Sequence, residues 1–292
     1  MLKHIRIFIL KIIRKYFSKN EFDCSELEIL SSLLKLNGIS SVYSERTGLN
    51  LPVDNIILPR VLSNQYCEGE LPEEFKGDVF NGCAFIDIGA NVGVAAIGII
   101  KIIKPSACFL YEPDPFCFKL LKNNVSLLVN NETSISIKNA GIGSEDSKMD
   151  LFVDTQNAAN NSLIRSSIPT IGRLGDVHSV EVVGIEGESI NWISDGRKIF
   201  YMSDTQGMDE TIFSLIPPPV LDCIIGGMVE IFSLEGKEFS QSSFSNNMSV
   251  FSKFWIRRDD DFQRITFENL LKSLNNSWCD LNRSCYDVIF LR

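Results

Sequence analysis

From Cys83 onward the chain alternates between short apolar runs and longer segments of helical period. Cys83-Ala84-Phe85-Ile86-Asp87-Ile88 is a continuous apolar run carrying one acid near its end, the pattern of a parallel strand buried on both faces. Gly89–Gly93 makes a turn, and Val94–Lys104 has helical character until Pro105 stops it. Ala107–Tyr111 repeats the buried-strand pattern and ends at Glu112. Asp114 then stands as an N-cap before Pro115, opening a helix over Phe116–Val129. Ser134–Ala140 reads as a third strand. The order β-α-β-α-β predicts a parallel sheet with right-handed crossovers.

Further strands are predicted over Met149–Val153, Val180–Ile185, from Ile199, over Met228–Leu234 and at Tyr286–Leu291. A helix over Met208–Ile216 is expected to end at Pro217-Pro218-Pro219, and one over Glu268–Asn275 turns Leu270, Leu271 and Leu274 inward. Arg257–Asp261 reads as a charged turn.

Upstream, Leu2, Ile5, Ile9, Ile12, Ile13 and Tyr16 fall within one arc of roughly 100° on a helical wheel, opposite Lys3, Lys11, Arg14, Lys15 and Lys19. Such a basic amphipathic helix (residues 1–20) suits the surface of an anionic membrane, or docking on its own domain or on a second subunit. A second helix is expected over Glu26–Leu36, with a capping box from Ser25 to Glu28 and Asn37-Gly38 as its stop. Residues 39–77, punctuated by Pro52, Pro59 and Pro72, read as a loosely helical lead-in. The expected division is thus a helical extension, 1–77, and a catalytic domain, 78–292.

Composition narrows the class. Among 292 residues, 45% are hydrophobic and 22% charged, the balance of a folded domain rather than a disordered chain. Residues 1–20 hold six bases and no acid, which leaves the remaining 272 with 22 bases against 37 acids, a net charge of −15. That charge argues against a nucleic-acid substrate. Two His and eight Cys without a C-x-x-C pair argue against a metal site and for a reducing, cytoplasmic compartment, with the inner membrane face as the place of any peripheral contact.

The turn after the first strand carries the chemistry. In a doubly wound sheet the ligand sits beyond the carboxyl ends of the strands, where Gly89 and Gly93 would let the backbone approach it and the next helix offers free N–H groups. Glu112, 19 residues after Gly93, ends the neighbouring strand and can accept both hydroxyls of a ribose. The dinucleotide fingerprint is incomplete, since Asn91 and Val94 replace its later glycines. Asp87, just before the loop, suits a cationic ligand.

The pattern Asp87-x-Gly89-x-Asn91-x-Gly93, followed by Glu112-Pro113-Asp114-Pro115, resembles the class I S-adenosylmethionine-dependent methyltransferases. Three blocks (Phe85–Gly93, Tyr111–Pro115 and Ile199–Asp209) resemble the FkbM family within it, and the closing strand at Tyr286–Leu291 is similar too. Met202 departs from that family's Lys two residues before the Asp. The resemblance implies a Rossmann-like, seven-stranded mixed sheet with an antiparallel last strand, S-adenosyl-L-methionine as cofactor, and methyl transfer to a hydroxyl of a glycan or other small molecule. An N-methyltransferase and a non-catalytic cofactor-binding module are the alternatives.

On this expectation Asp87, Gly89, Ala90, Asn91, Gly93, Glu112, Pro113, Asn139 and Ala140 hold the cofactor. Asp204 and His178 are the candidate bases. Asp204 has two further readings, shaping its turn through the N–H groups of Gln206 and Gly207 or binding a cation with Asp209 or Glu210. His178 also reads as a surface histidine. Asn157, Asn160, Asn161 and Ser162 form either an active-site loop or an Asn-rich turn.

Overall fold

A computed structural model describes residues 24–45, 47–63, 70–128, 133–168, 174–232, 243–258, 261–277 and 285–292. The basic segment read over 2–17 lies outside the described residues. Helix α1 (Cys24–Leu36) ends as its sequence directs. Gly38, at φ 71°, donates to the carbonyl of Lys35, and Ile39 closes back on Leu34.

The expected helical lead-in is in part a β-hairpin. Strands β1 (Ser41–Ser44) and β2 (Leu49–Pro52) pair antiparallel, and a short helix, α2 (Ile57–Leu62), follows. Gly48, at φ 73°, closes the turn onto the carbonyl of Ser44. Leu49, Leu51 and Val53 recur with a period of two on the buried side, an alternation masked in the sequence by the surrounding prolines.

The main sheet follows from β3 (Ala84–Ile88), α3 (Val94–Ile103), β4 (Ala107–Tyr111), α4 (Pro115–Leu128) and β5 (Ser134–Lys138). A smaller three-stranded sheet interrupts it, built from β6 (Gly141–Gly143), β7 (Ser147–Asp154) and β8 (Leu174–Gly184). The chain then returns through α5 (Ile185–Trp192), β9 (Ile199–Ser203), α6 (Asp209–Ser214), α7 (Pro218–Leu221) and β10 (Ile224–Phe232). It closes with α8 (Ser243–Met248), β11 (Lys253–Arg258), β12 (Asp261–Ile265), α9 (Phe267–Ser277) and β13 (Cys285–Leu291). The proline triplet does not merely end a helix: α6 stops at Ser214, and Pro218 opens α7, where a missing N–H costs nothing.

The strand order is β12-β11-β13-β10-β9-β3-β4-β5. β3, β4, β5, β9 and β10 are mutually parallel, and β13 runs antiparallel between β10 and β11. This is the α/β Rossmann-like fold of class I methyltransferases. It has eight strands rather than the expected seven, because Asp261–Ile265 pairs with β11 as an extra edge hairpin. Alternate residues of the central strands feed two cores. Ala84, Ile86, Ile199 and Tyr201 enter one face, and Phe85, Phe200 and Met202 enter the other with Phe75 and Phe80.

A third apolar cluster joins the N-terminal segment to the sheet domain. Leu27, Leu30 and Leu34 of α1 pack with Leu51, Leu58 and Val61, and with Ile97 of α3 and Leu120 of α4. No helix among the described residues is long and apolar enough to cross a membrane.

Candidate functional site

The order of the sheet reverses direction between β3 and β9, so the crevice of a doubly wound fold lies at the carboxyl ends of these strands. After β3 the main chain hooks over β4. The N–H groups of Gly89 and Ala90 both donate to the carbonyl of Tyr111, at 2.9 and 3.0 Å. Asn91, at φ 49°, turns its own N–H onto Oε2 of Glu112 at 2.8 Å, and its side-chain Oδ1 accepts from Val92. Gly93, at φ 85°, caps α3.

The two glycines pack closely against other parts of the protein. A Cβ on Gly89 would overlap the backbone carbonyl oxygen of Asp204 and lie 2.8 Å from its carbon, because the N–H of Asp204 pairs with the carbonyl of Ile88. A Cβ on Gly93 would meet Cδ1 of Leu121 on α4 at 2.7 Å. Both positions also need a left-handed backbone.

Glu112 is 6% exposed, and each of its carboxylate oxygens accepts one backbone N–H at 2.8 Å: Oε2 from Asn91 and Oε1 from Asp114. Burial raises its carboxyl to about 8, and the nearby acids Asp114 and Asp204 push in the same direction. Asp114 caps α4 through the N–H of Phe116 at 2.7 Å. The carbonyls of Glu112 and Pro113 both accept from the side-chain amide of Asn139, at 2.8 and 3.0 Å, which ties the end of β4 to the residue after β5. Ala140 beside it is buried. Asp87 is fully buried within β3, in register with Leu110 and Met202.

At the end of β9, Asp209 is 1% exposed and accepts from the N–H and hydroxyl of Thr205 and, at 3.4 Å, from the N–H of Gly207. Burial raises the Asp209 carboxyl. Asp204 accepts, through Oδ1, from Nε2 of Gln206 at 2.7 Å, and the same nitrogen donates to Glu230 of β10 at 2.8 Å. Gln206 holds φ 56° and is buried, and its carbonyl accepts from the hydroxyls of Ser162 and Ser167 at 2.9 and 2.6 Å.

The Asn-rich segment after β7 is a self-bonded turn that also reaches the site. Asp154 accepts from the N–H groups of Gln156 and Asn157 and from the side chain of Asn160. Outward from this turn, Asn161 donates to Asp114, the carbonyl of Ala158 accepts from Asn91 at 3.2 Å, and Ser162 reaches Gln206. Asp54, from the N-terminal segment, braces the turn from behind. It is 4% exposed and accepts from the N–H groups of Ile56 and Leu58 at 3.1 Å and Ala158 at 3.3 Å. Burial, its largest influence, raises its carboxyl.

His178 stands elsewhere. It is exposed on β8, opposite Leu151 of β7, in the three-stranded sheet rather than at the ends of β3, β4 and β9. Gln206, Glu230, Asp154 and Asp54 were not singled out in the sequence. Only Gln206 carried a local signal, its place in the Asp204-Thr205-Gln206-Gly207 block.

No family model matches the chain, and no curated protein matches it. Solved structures align with it only at low similarity. Trm5b from Pyrococcus abyssi is 10% identical, with a TM-score of 0.39 over 86% of this chain, which spans 55% of the Trm5b chain. The N-terminal domain of human METTL16, solved with SAH, is 11% identical, with a TM-score of 0.39 over 92% of this chain and 82% of that one. TYW2 from M. jannaschii, in complex with AdoMet, is 11% identical, with a TM-score of 0.35 over 87% of each chain. The strand order, not these scores, defines the fold here.

Proposed function

We propose that the protein is an S-adenosylmethionine-dependent methyltransferase of the FkbM type, acting on a hydroxyl group of a glycan or secondary metabolite. The observation that carries this reading is the setting of Glu112. Each of its two oxygens holds one backbone N–H, which leaves each a second lone pair for one hydroxyl of a vicinal diol. The residues around it suit the rest of such a cofactor. Asp87 and Asp204 supply negative charge near a sulfonium, the turn Gly89-Ala90-Asn91-Val92-Gly93 lies along it, and Pro113, Asn139 and Ala140 border the base.

When bound, the cofactor supplies an already activated methyl group. The protein's task is then to hold the acceptor oxygen in line with it, and orientation of this kind is worth roughly 7–11 kcal/mol. In this reading Asp204, steadied by Gln206, takes the hydroxyl proton. His178 is not the base. The acid-rich strand ends favour a neutral acceptor over a phosphate-bearing one.

Titration calorimetry with S-adenosylmethionine tests the reading, with NAD as control. Above about pH 8, where the Glu112 carboxyl is ionised, the expected result is binding that Glu112→Ala weakens by about 1.5–3 kcal/mol, the value of hydrogen bonds to a charged group. No heat from the unaltered protein, or an unchanged Kd in the variant, would refute it. One feature favours a second reading. Met202 places a thioether in register with Asp87, where the resembling family has Lys, and a binding module without turnover would show cofactor affinity but transfer no methyl group to any extract fraction.

A further inference from the structure

Helix α1 has two apolar faces, and the structure uses one of them. Leu27, Leu30 and Leu34 are 0–4% exposed and locked into the cluster with α2, α3 and α4. Ile29, Leu33 and Leu36, spaced i, i+4, i+7 on the opposite side, are 64%, 36% and 83% exposed. The helix cannot roll to hide this second stripe without exposing the first. Lys35, which donates to the carbonyl of Thr155 at 3.1 Å, also fixes its rotation. A continuous exposed seam of large aliphatic residues is the usual mark of an interaction surface.

We propose that the apolar face of residues 2–17 of the same chain covers this stripe, as the first arm of an antiparallel helical hairpin. Two observations select that occupant. The first is chain length. Residues 18–23 number six, within the range of helix–helix connections. Since two helices rise equally per residue, folding back about the centre of that stretch sets Ile12 opposite Ile29, Ile9 near Leu33 and Ile5 opposite Leu36. These are residues of the apolar arc read from the sequence. The second is charge. Glu26 and Glu28 are exposed on α1, while residues 1–20 carry six bases and no acid. Those acids attract the basic arm and repel an anionic bilayer.

The five basic residues of the arm (Lys3, Arg6, Lys11, Arg14 and Lys15), with Lys19 just beyond it, make trypsin the natural probe. In the full-length protein, cleavage at these sites should be slow, and Ile29→Asp/Leu33→Asp/Leu36→Asp should speed it about tenfold. Because these three side chains are solvent-exposed, the variant keeps the fold, which an unchanged circular-dichroism melt of the sheet domain checks. Ile9→Asp/Ile12→Asp, which leaves α1 intact, should give the same acceleration. Equal cleavage rates in all three proteins would overturn the proposal. So would a dimer, seen by sedimentation, that the α1 variant dissociates, since a second copy would then cover the stripe. Flotation of the full chain with phosphatidylglycerol vesicles, lost in the α1 variant, would overturn it in favour of a membrane.

Discussion

Glu112 accepts the backbone N–H of Asn91 at 2.8 Å, so the acid that ends one strand holds the turn that follows its neighbour. Because burial raises this carboxyl from 4.5 to about 8, the folded protein retains a proton that the unfolded chain releases between those values. Stability therefore falls as pH rises through this window, by at most about 1.4 kcal/mol per unit from this group. Glu112→Gln should show a shallower decline in urea-unfolding free energy between pH 5 and 8. Parallel profiles for the two proteins would contradict the assignment.

Gly89→Ala should be among the most damaging single-methyl changes in the chain. The added carbon overlaps the carbonyl of Asp204, and both partners are backbone atoms that cannot rotate away. A loss of about 3 kcal/mol or more is expected. Gly77 is the control: it also has a positive φ, 112°, but an added Cβ there meets nothing within 4 Å. Gly77→Ala should cost only the backbone strain, about 1–3 kcal/mol. Similar losses in thermal unfolding of the two variants would show that strain rather than the overlap sets the cost at Gly89.

Gln206 joins Asp204 to Glu230 through a single nitrogen. Removing Glu230 by substitution with Ala leaves a buried donor short of one acceptor, and a loss of about 1–3 kcal/mol follows. A double-mutant cycle with Gln206→Ala should yield a coupling above about 0.5 kcal/mol. Additive effects would mean that the bridge contributes nothing of its own.

Asp54 links the N-terminal segment to the turn that touches Asn91. Asp54→Ala removes the shared acceptor of three N–H groups, and a destabilisation of about 1–3 kcal/mol is expected. Amide hydrogen exchange should speed up most at Ala158 and in the turn around it. Protection unchanged at Ala158 would show that the turn holds itself together without this brace.

The central sheet was legible because its strands are short apolar runs separated by strong stop signals. β4 matches its expected span, Ala107–Tyr111, and the Asp114 cap falls where the sequence places it. The hairpin at Ser41–Pro52 was not legible, since each strand is only four residues long and a proline ends the second. At the site, residues adjacent in sequence to the glycine turn could be named, whereas Glu230 could not. It is one acid in a strand of nine residues, and its partner Gln206 lies 24 positions earlier, a distance at which local pattern carries no information. A glycine's need for space is visible in a sequence, but what fills that space is decided by which strands become neighbours.

The contact between Asp54 and Ala158 spans 104 residues. A growing chain emerges N-terminus first, so the hairpin and α2 are translated well before the turn they brace. β3, β4 and Glu112 emerge earlier than that turn, but the hydrogen bonds from Asn91 to Ala158 and from Asn161 to Asp114 must wait for it. The strand-end crevice therefore reaches its final form only after the smaller sheet has begun to be made. A truncated product ending before β7 would contain every glycine of the turn and still lack the shape they serve.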